Sequence, residues 1–545
     1  MSQSAGHLIV AQLEAHRVRR VYAVPGESYL DVLDGLHDSP IETVVCRHEG
    51  GAGFMALTEG RLTGTPGVVM VTRGPGAANA MIAVHTAWQD ATALVLFVGL
   101  IPVADRERDS FQEFSLTGWF GTTAKRVFVL DDPDRAGELV AEAMHLAASG
   151  RPGPVVIGLP EDVLVRQVEV ARAPVRPVAG ATPSPAEITM VAEQLAAAQR
   201  PLIVAGGDGW DDATGRTLME WAATAGIPVA TDWRAYDVVP HSAAYAGWLG
   251  YGRADTLAAR LDDADLLLFL GCGRSDVLSD GFTRGFAQPT LLVLPDPSAT
   301  MHAGRIDQHV LSTPGAFVAV LPTPESARGA RTVDWMTELN TDQQRFATPH
   351  PDGGTGVDLG VAFEVLERLL PRERVVTYGA GNATIWGHRY LSHTQAHSLV
   401  APRNGAMGLA VPSAVAASLI FPDRQAVAIC GDGDFFMNAQ EVSVAFAQGS
   451  TPLVVVVDNG IYGTIVQHQR AHYPGRASGT SMTNPDFAAW MRSFGGYGEL
   501  VERTEDFESA LASALASGLP ALLHVRTDPE TMPPPAGNTK PVAQS

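Results

Sequence analysis

The sequence predicts an α/β protein made of three doubly wound parallel-sheet domains. Three observations carry that expectation. The chain has 545 residues, too many for one hydrophobic core. Short apolar runs alternate with helical patterns and mostly end at glycine, as strands buried on both faces do. Stretches rich in proline and small residues divide the chain into segments of similar size. The expected domains are residues 1–170, 188–325 and 357–528, with linkers at 171–187 and 326–356 and a flexible tail at 529–545.

In chain order, Val68 to Thr72 and Leu94 to Val98 are strands of the first segment. Ala171 to Glu187 holds four prolines and shows neither a helical nor a strand period, which marks a surface linker. Leu202 to Ala205 and Leu266 to Leu270 are strands of the second segment. Thr323 to Arg331 and Phe346 to Gly356 read as flexible approaches to the third, whose strands are Arg374 to Tyr378, Gln425 to Cys430 and Pro452 to Val457. The tail after Thr527, with Pro533-Pro-Pro535, is either disordered or a flap.

Composition excludes some functions. A formal charge of −21 without any basic cluster argues against a nucleic-acid or anionic-membrane surface. No apolar run approaches the roughly 18 to 20 residues that span a bilayer, and the start Met1-Ser-Gln-Ser-Ala-Gly6 lacks the pattern of a secretion signal, so the cytoplasm is the default location. Cys46, Cys272 and Cys430 lie far apart in or beside apolar strands and read as small buried hydrophobes.

The strongest motif is Gly431-Asp432-Gly433, separated by 24 residues from Asp458-Asn459. Each half follows a strand, so both reach the carboxyl edge of a sheet, where open α/β sheets place ligands. Gly-Asp-Gly alone is equally a tight turn. Paired in this way, an Asp, an Asn amide and a backbone carbonyl suit Mg²⁺, which takes one or two protein carboxylates and completes its shell with phosphate, carbonyl and water oxygens.

Here the chain resembles the thiamine diphosphate enzyme superfamily. The segment Val45-Cys-Arg-His-Glu49-Gly-Gly-Ala52 is similar to the one carrying the cofactor-activating glutamate, and Thr72-Arg-Gly-Pro-Gly-Ala-Ala-Asn79 to the Gly-Pro-Gly-x-x-Asn loop. Asp109 to Glu113, Gly405-Ala-Met-Gly408 and Gly431 to Phe435 are similar to segments of its acetolactate synthase branch. The likeness spans roughly Val21 to Thr527. It implies a pyrimidine-binding domain, a central domain and a diphosphate-binding domain in that order. It also implies a homo-oligomer, a dimer with shared sites and a dimer of dimers, in which the first domain of one subunit faces the last domain of its partner.

The resemblance implies roles residue by residue. Glu49 would hydrogen-bond the pyrimidine ring and promote removal of the C2 proton; in isolation it reads equally as a helix-start carboxylate. Met407 would hold the cofactor bent. Pro25, Gly26, Gly76, Asn79, Gly405, Gly431, Gly433, Asp434, Tyr462 and Gly463 would contact the cofactor. Gly381, Asn382 and Ala383 follow the strand Arg374 to Tyr378 and would offer N–H groups to the diphosphate at a helix start. Asp432, Asn459 and the Ile461 carbonyl would hold Mg²⁺. Phe111, Gln112, Lys125, Thr464, Ile465 and His468 would line the substrate pocket, with Gln112 and His468 acting on the reacting groups; Lys125 reads otherwise as a solvated lysine. His85, His388, His468 and His472 lack metal-ligand spacing.

The chain departs from the branch in several places. His468 stands in place of a tryptophan. The arginine expected for the acceptor carboxylate aligns with Gly273, one position before Arg274. Glu27-Ser28 replaces Gly-Ala, and Asp458 replaces the first Asn of the metal motif. The reading is therefore an acetolactate synthase-like enzyme that decarboxylates a small 2-oxo acid and transfers the acyl carbanion to a carbonyl acceptor. A simple decarboxylase, a flavin-linked oxidase and a silent cofactor-binding scaffold are the alternatives. FAD has room in the scheme at the central domain, although Gly206-Gly-Asp-Gly209 is equally a plain strand-to-helix turn.

Overall fold

The computed structural model describes residues 2–324, 330–351, 353–531 and 533. Three six-stranded parallel sheets, each flanked by helices, give the three α/β domains expected. The chain packs as two compact units, Met1–Ala179 with Pro402–Asp423 and Phe436–Thr451, and Gly180–Ala401 with Arg424–Phe435 and Pro452–Ser545.

The first unit contains β1 (Arg20–Ala23), β2 (Glu42–Val45), α1 (Glu49–Thr63), β3 (Gly67–Val71), α2 (Gly74–Asp90), β4 (Leu94–Leu100), β5 (Arg126–Val129), α3 (Ala136–Ala148) and β6 (Pro154–Pro160). Its sheet runs in the order β2-β1-β3-β4-β6-β5. Strands β3 and β6 are buried at every position, as parallel strands covered on both faces are. The helix Ala410–Ile420 packs on α1, with Thr58 Oγ1 and Ser413 Oγ hydrogen-bonded at 2.8 Å.

The second unit holds two sheets. The central one comprises β7 (Pro201–Ala205), β8 (Val229–Asp232), β9 (Tyr245–Leu249), β10 (Leu266–Leu270), β11 (Thr290–Val293) and β12 (Gln308–Val310), ordered β9-β8-β7-β10-β11-β12. Helix α4 (Pro185–Ala197) precedes β7 and α5 (Asp212–Ala225) follows it. The last sheet comprises β13 (Arg374–Tyr378), β14 (Leu399–Val400), β15 (Gln425–Gly431), β16 (Leu453–Asp458), β17 (Tyr497–Val501) and β18 (Ala521–Arg526), ordered β14-β13-β15-β16-β18-β17. The two sheets share one apolar core that includes Trp248, Trp335, Phe363, Trp386 and Val427.

Two linker expectations need correction. Helix α4 begins inside the stretch read as linker, because Ser184 and Glu187 form a capping box with Pro185 at the first helical position. More substantially, the span read as a linker at 326–356 contains the helix α6 (Ala330–Ala347). It is held because Trp335, Met336 and Leu339 are buried, Trp335 Nε1 donates to the Pro201 carbonyl at 3.0 Å, and Asn340 Nδ2 donates to the Tyr245 carbonyl at 2.8 Å. Prolines and glycines on either side of this run hid its helical period. Residues 325–329 and 352, and most of the expected tail (532 and 534–545), lie outside the described residues. All three cysteines are buried and free, and no helix of the described residues is long and apolar enough to cross a membrane.

Candidate active site

The expected site residues fall in two clusters, one in each unit. In the first unit Glu49 is the first residue of α1, capped by His48, whose imidazole accepts from the Gly50 N–H at 3.0 Å. The Glu49 side chain is 9% exposed, and its Oε2 accepts from Asn79 Nδ2 at 2.9 Å. Asn79 stands on α2, which opens on Gly74-Pro75-Gly76. A Cβ on Gly76 would lie 3.3 Å from Glu49 Oε1 and 3.1 Å from Thr72 Cγ2. The loop motif thus leaves room for the carboxyl and supplies it with a donor.

Below the same helix start lies Glu441, a residue without a sequence signal. It is fully buried, its carboxyl accepts from the Arg47 N–H, and a side chain at Gly51 would collide with it. Burial pushes its pKa up to about 7 despite these backbone N–H donors.

The departures Glu27 and Ser28 have structural partners. Glu27 pairs with Arg73 at 3.0 Å, and buried Ser28 meets Thr72 Oγ1 at 3.0 Å, in the loop where Gly26 also packs on Thr72. Met407 is 37% exposed between Gly405 (φ +69°) and Gly408 (φ +85°), so it is surface rather than core. Gly408 is pinned by Asn438, which donates to its carbonyl at 2.9 Å.

Gln112 is held at φ +62°, a conformation unusual outside glycine, and its carbonyl accepts from Gly74 N–H at 3.1 Å. Its side-chain oxygen is buried without a partner, and neighbouring Phe111 is 77% exposed. Lys125 is a correction. Its ammonium donates to the Leu146 and Ser149 carbonyls at the end of α3, so it caps a helix and does not line a channel.

In the second unit, helices α7 (Asn382–Tyr390) and α8 (Gly463–His472) begin beside each other, with Thr464 Oγ1 donating to Asn382 Oδ1 at 2.9 Å. Gly381 caps α7 at φ +112°, and Ala383 is buried next to it. A Cβ on Gly463 would lie 2.9 Å from Asn382 Nδ2 and 3.3 Å from Asn459 Nδ2. Asn382 Nδ2 is buried and makes no hydrogen bond. An orphaned amide donor between two helix N-termini fits a diphosphate oxygen. Gly379 leaves no space for a side chain because the Asp434 carboxyl occupies it, and Gly433 none because of the Tyr462 ring.

Asp432 follows the end of β15, which closes on Gly431. Its Oδ2 accepts from the Gly460 N–H at 2.9 Å and from Asn484 Nδ2 at 2.7 Å. Burial, then the Asp458 carboxyl beside it, raises the Asp432 pKa. Burial would raise Asp458 as well, but hydrogen bonds from His524 and Asn484 outweigh that and hold it below the usual carboxylate range. Asn459 Oδ1 accepts from the Ile461 N–H at 3.1 Å and keeps a second lone pair. The Asn459–Gly463 loop is fastened to a neighbouring segment by an Ile461–Ser481 bridge and by Tyr462 N–H donating to the Thr480 carbonyl at 2.8 Å. No cluster of three or more His, Cys, Asp or Glu among the described residues makes a protein-only metal cage. The donors present suit a hard cation that takes part of its shell from phosphate. On α8, Thr464, Ile465 and His468 share a face by their spacing; Ile465 and His468 are exposed and only Val466 is buried.

The central domain does not fit FAD at its switch point between β7 and β10. The turns Gly206-Gly207 and Gly271 are in contact, so a Cβ on either Gly207 or Gly271 would strike the other turn's carbonyl. Buried Trp210 closes the crevice and donates to the Gly206 carbonyl at 2.9 Å. Asp208, Asp211 and Asp212 crowd the start of α5, where a dinucleotide diphosphate would need N–H groups and no carboxylates. Arg274 is 1% exposed and donates to the Ala303 carbonyl and Thr290 Oγ1, which ties it inside the domain.

Comparison with known proteins places this arrangement in a class. Residues 3–119 match the family model "Thiamine pyrophosphate enzyme, N-terminal TPP binding domain", 188–321 the central domain and 379–525 the C-terminal TPP binding domain. Among curated relatives, the acetolactate synthase isozyme 2 large subunit of Escherichia coli is 29% identical, covering 98% of this chain and 98% of its own. The acetolactate synthase large subunit of Parasynechococcus marenigrum is 31% identical over 96% and 88% respectively. The probable acetolactate synthase large subunit of Methanocaldococcus jannaschii is 27% identical over 98% and 94%. The chain belongs to the thiamine pyrophosphate enzymes, in the acetolactate synthase-like family.

Proposed function

We propose that this protein is a thiamine diphosphate- and Mg²⁺-dependent carboligase that decarboxylates a small 2-oxo acid such as pyruvate and joins the acyl group to a second carbonyl compound. When bound, the cofactor supplies a carbon nucleophile and an electron sink. Glu49, buried and oriented by Asn79, holds or moves a proton at the pyrimidine ring. Asn382 and the starts of α7 and α8 bind the diphosphate, while Asp432, Asn459 and the Ile461 carbonyl hold the cation. Met407 would pack against the bound cofactor. Gln112, Phe111 and the exposed face of α8 orient substrate, with His468 in place to exchange a proton with it.

The observation that carries this reading is the Glu49–Asn79 hydrogen bond inside a Gly-Pro-Gly cradle. The exposed apolar side chains of Met407 and Met437 on the first unit support a second subunit covering that face, so the working species is a homodimer or a pair of dimers. The test is C2 proton exchange of bound thiamine diphosphate by NMR. Exchange that disappears in Glu49→Gln supports the reading, whereas cofactor binding without exchange would make the chain a silent scaffold.

A further inference from the structure

His524 lies on β18 opposite Val456 of β16, which puts its ring on the same sheet face as Asp458 two residues on. The ring is fully buried, and its Nε2 lies 2.8 Å from Asp458 Oδ2. Its Nδ1 accepts from the Phe487 N–H at 3.3 Å, which fixes the proton on Nε2. Asp458 Oδ1 in turn accepts from Asn484 Nδ2 at 2.8 Å, and the same nitrogen donates to Asp432 Oδ2 at 2.7 Å. The Asn484 amide therefore bridges the two carboxylates beside the Gly460 N–H, which donates to the same oxygens at 2.9 and 3.0 Å, and Asp432 Oδ1 is left outside the bridge.

We propose that Asp458 and His524 are positioning residues: together they hold the Asn484 amide that aims the Asp432 carboxylate at the cation. The inference rests on the metal role given to Asp432 above. It explains why this chain carries an acid at position 458. That side chain meets only donors, His524 Nε2, Asn484 Nδ2 and the Gly460 N–H at 3.0 Å, so the residue there must accept from both side chains. An asparagine there turns its own NH₂ toward one of them. The histidine cannot relieve this by moving its proton to Nδ1, because that nitrogen already faces the Phe487 N–H.

The test is Mn²⁺ binding to metal-free protein with thiamine diphosphate, read by electron paramagnetic resonance. Asp458→Asn raises the Mn²⁺ Kd by about ten- to a hundredfold, the range seen when partners behind a metal ligand are removed. Adding His524→Gln, whose carbonyl accepts from the new amide, restores most of that affinity. Asn484→Ala, which deletes only the bridging amide, weakens Mn²⁺ in the same way and serves if the first variant does not fold. Unchanged Mn²⁺ affinity in Asp458→Asn, or a loss that the second substitution leaves untouched, overturns the proposal. A parent chain that binds cofactor but no Mn²⁺ overturns the metal reading and this inference together.

Discussion

Asn79 donates to Glu49 Oε2 across 2.9 Å, joining the start of α1 to the first turns of α2. The donor fixes the direction of the carboxyl, while Gly76 keeps the other oxygen clear. Glu49→Gln is expected to slow C2 exchange by about 10² to 10⁴, the usual worth of a positioned acid–base group. Asn79→Ala is expected to slow it less, and the double variant to be no slower than Glu49→Gln alone, because both changes remove one device. Exchange rates by NMR check this.

Glu441 gives a pH prediction. Burial raises its pKa from the ordinary 4.5 to about 7, so between those values the folded chain keeps a proton that the unfolded chain has lost. Stability from this group is complete below pH 4.5 and falls as pH rises through 7. Glu441→Gln should flatten the fall in melting temperature across that window. Asp432 has the same sign and is unchanged in both proteins, so the difference between their melting curves isolates Glu441.

Several central strands were legible because they are short apolar runs buried on both faces: Leu266–Leu270 and Arg374–Tyr378 end at the residues the pattern indicates, whereas half-exposed strands such as Glu42–Val45 and Arg126–Val129 carry no such run. The two halves of the candidate site stood out as motifs, and at Gly76 and Gly433 a Cβ would come within 3.1 Å of Thr72 and 2.5 Å of the Tyr462 ring. Helix α6 escaped notice because its flanks, not its interior, carry the breakers. Glu441, Asn484 and His524 also escaped notice, as buried polar residues whose meaning lies in partners distant along the chain. Lys125 misled because position in a sequence says nothing of which carbonyls an ammonium reaches.

Gly463→Ala tests the diphosphate cradle. The added methyl would stand 2.9 Å from Asn382 Nδ2 and 3.3 Å from Asn459 Nδ2, so one amide must move. Weaker thiamine diphosphate binding by calorimetry, by about tenfold or 1.4 kcal/mol, is expected, with little change in melting temperature of the cofactor-free protein.

The closed crevice between β7 and β10 predicts that the purified protein is colourless and that added FAD does not co-elute with it on gel filtration. Stoichiometric flavin released on denaturation would contradict the assignment of Trp210 and the three aspartates as filling that crevice.

Incubation of the pure protein with thiamine diphosphate, Mg²⁺ and pyruvate, with CO₂ release and products followed by mass spectrometry, is the most direct test of carboligation. The expected result is CO₂ release with acetolactate as product; acetaldehyde alone would make the protein a decarboxylase and contradict the transfer step.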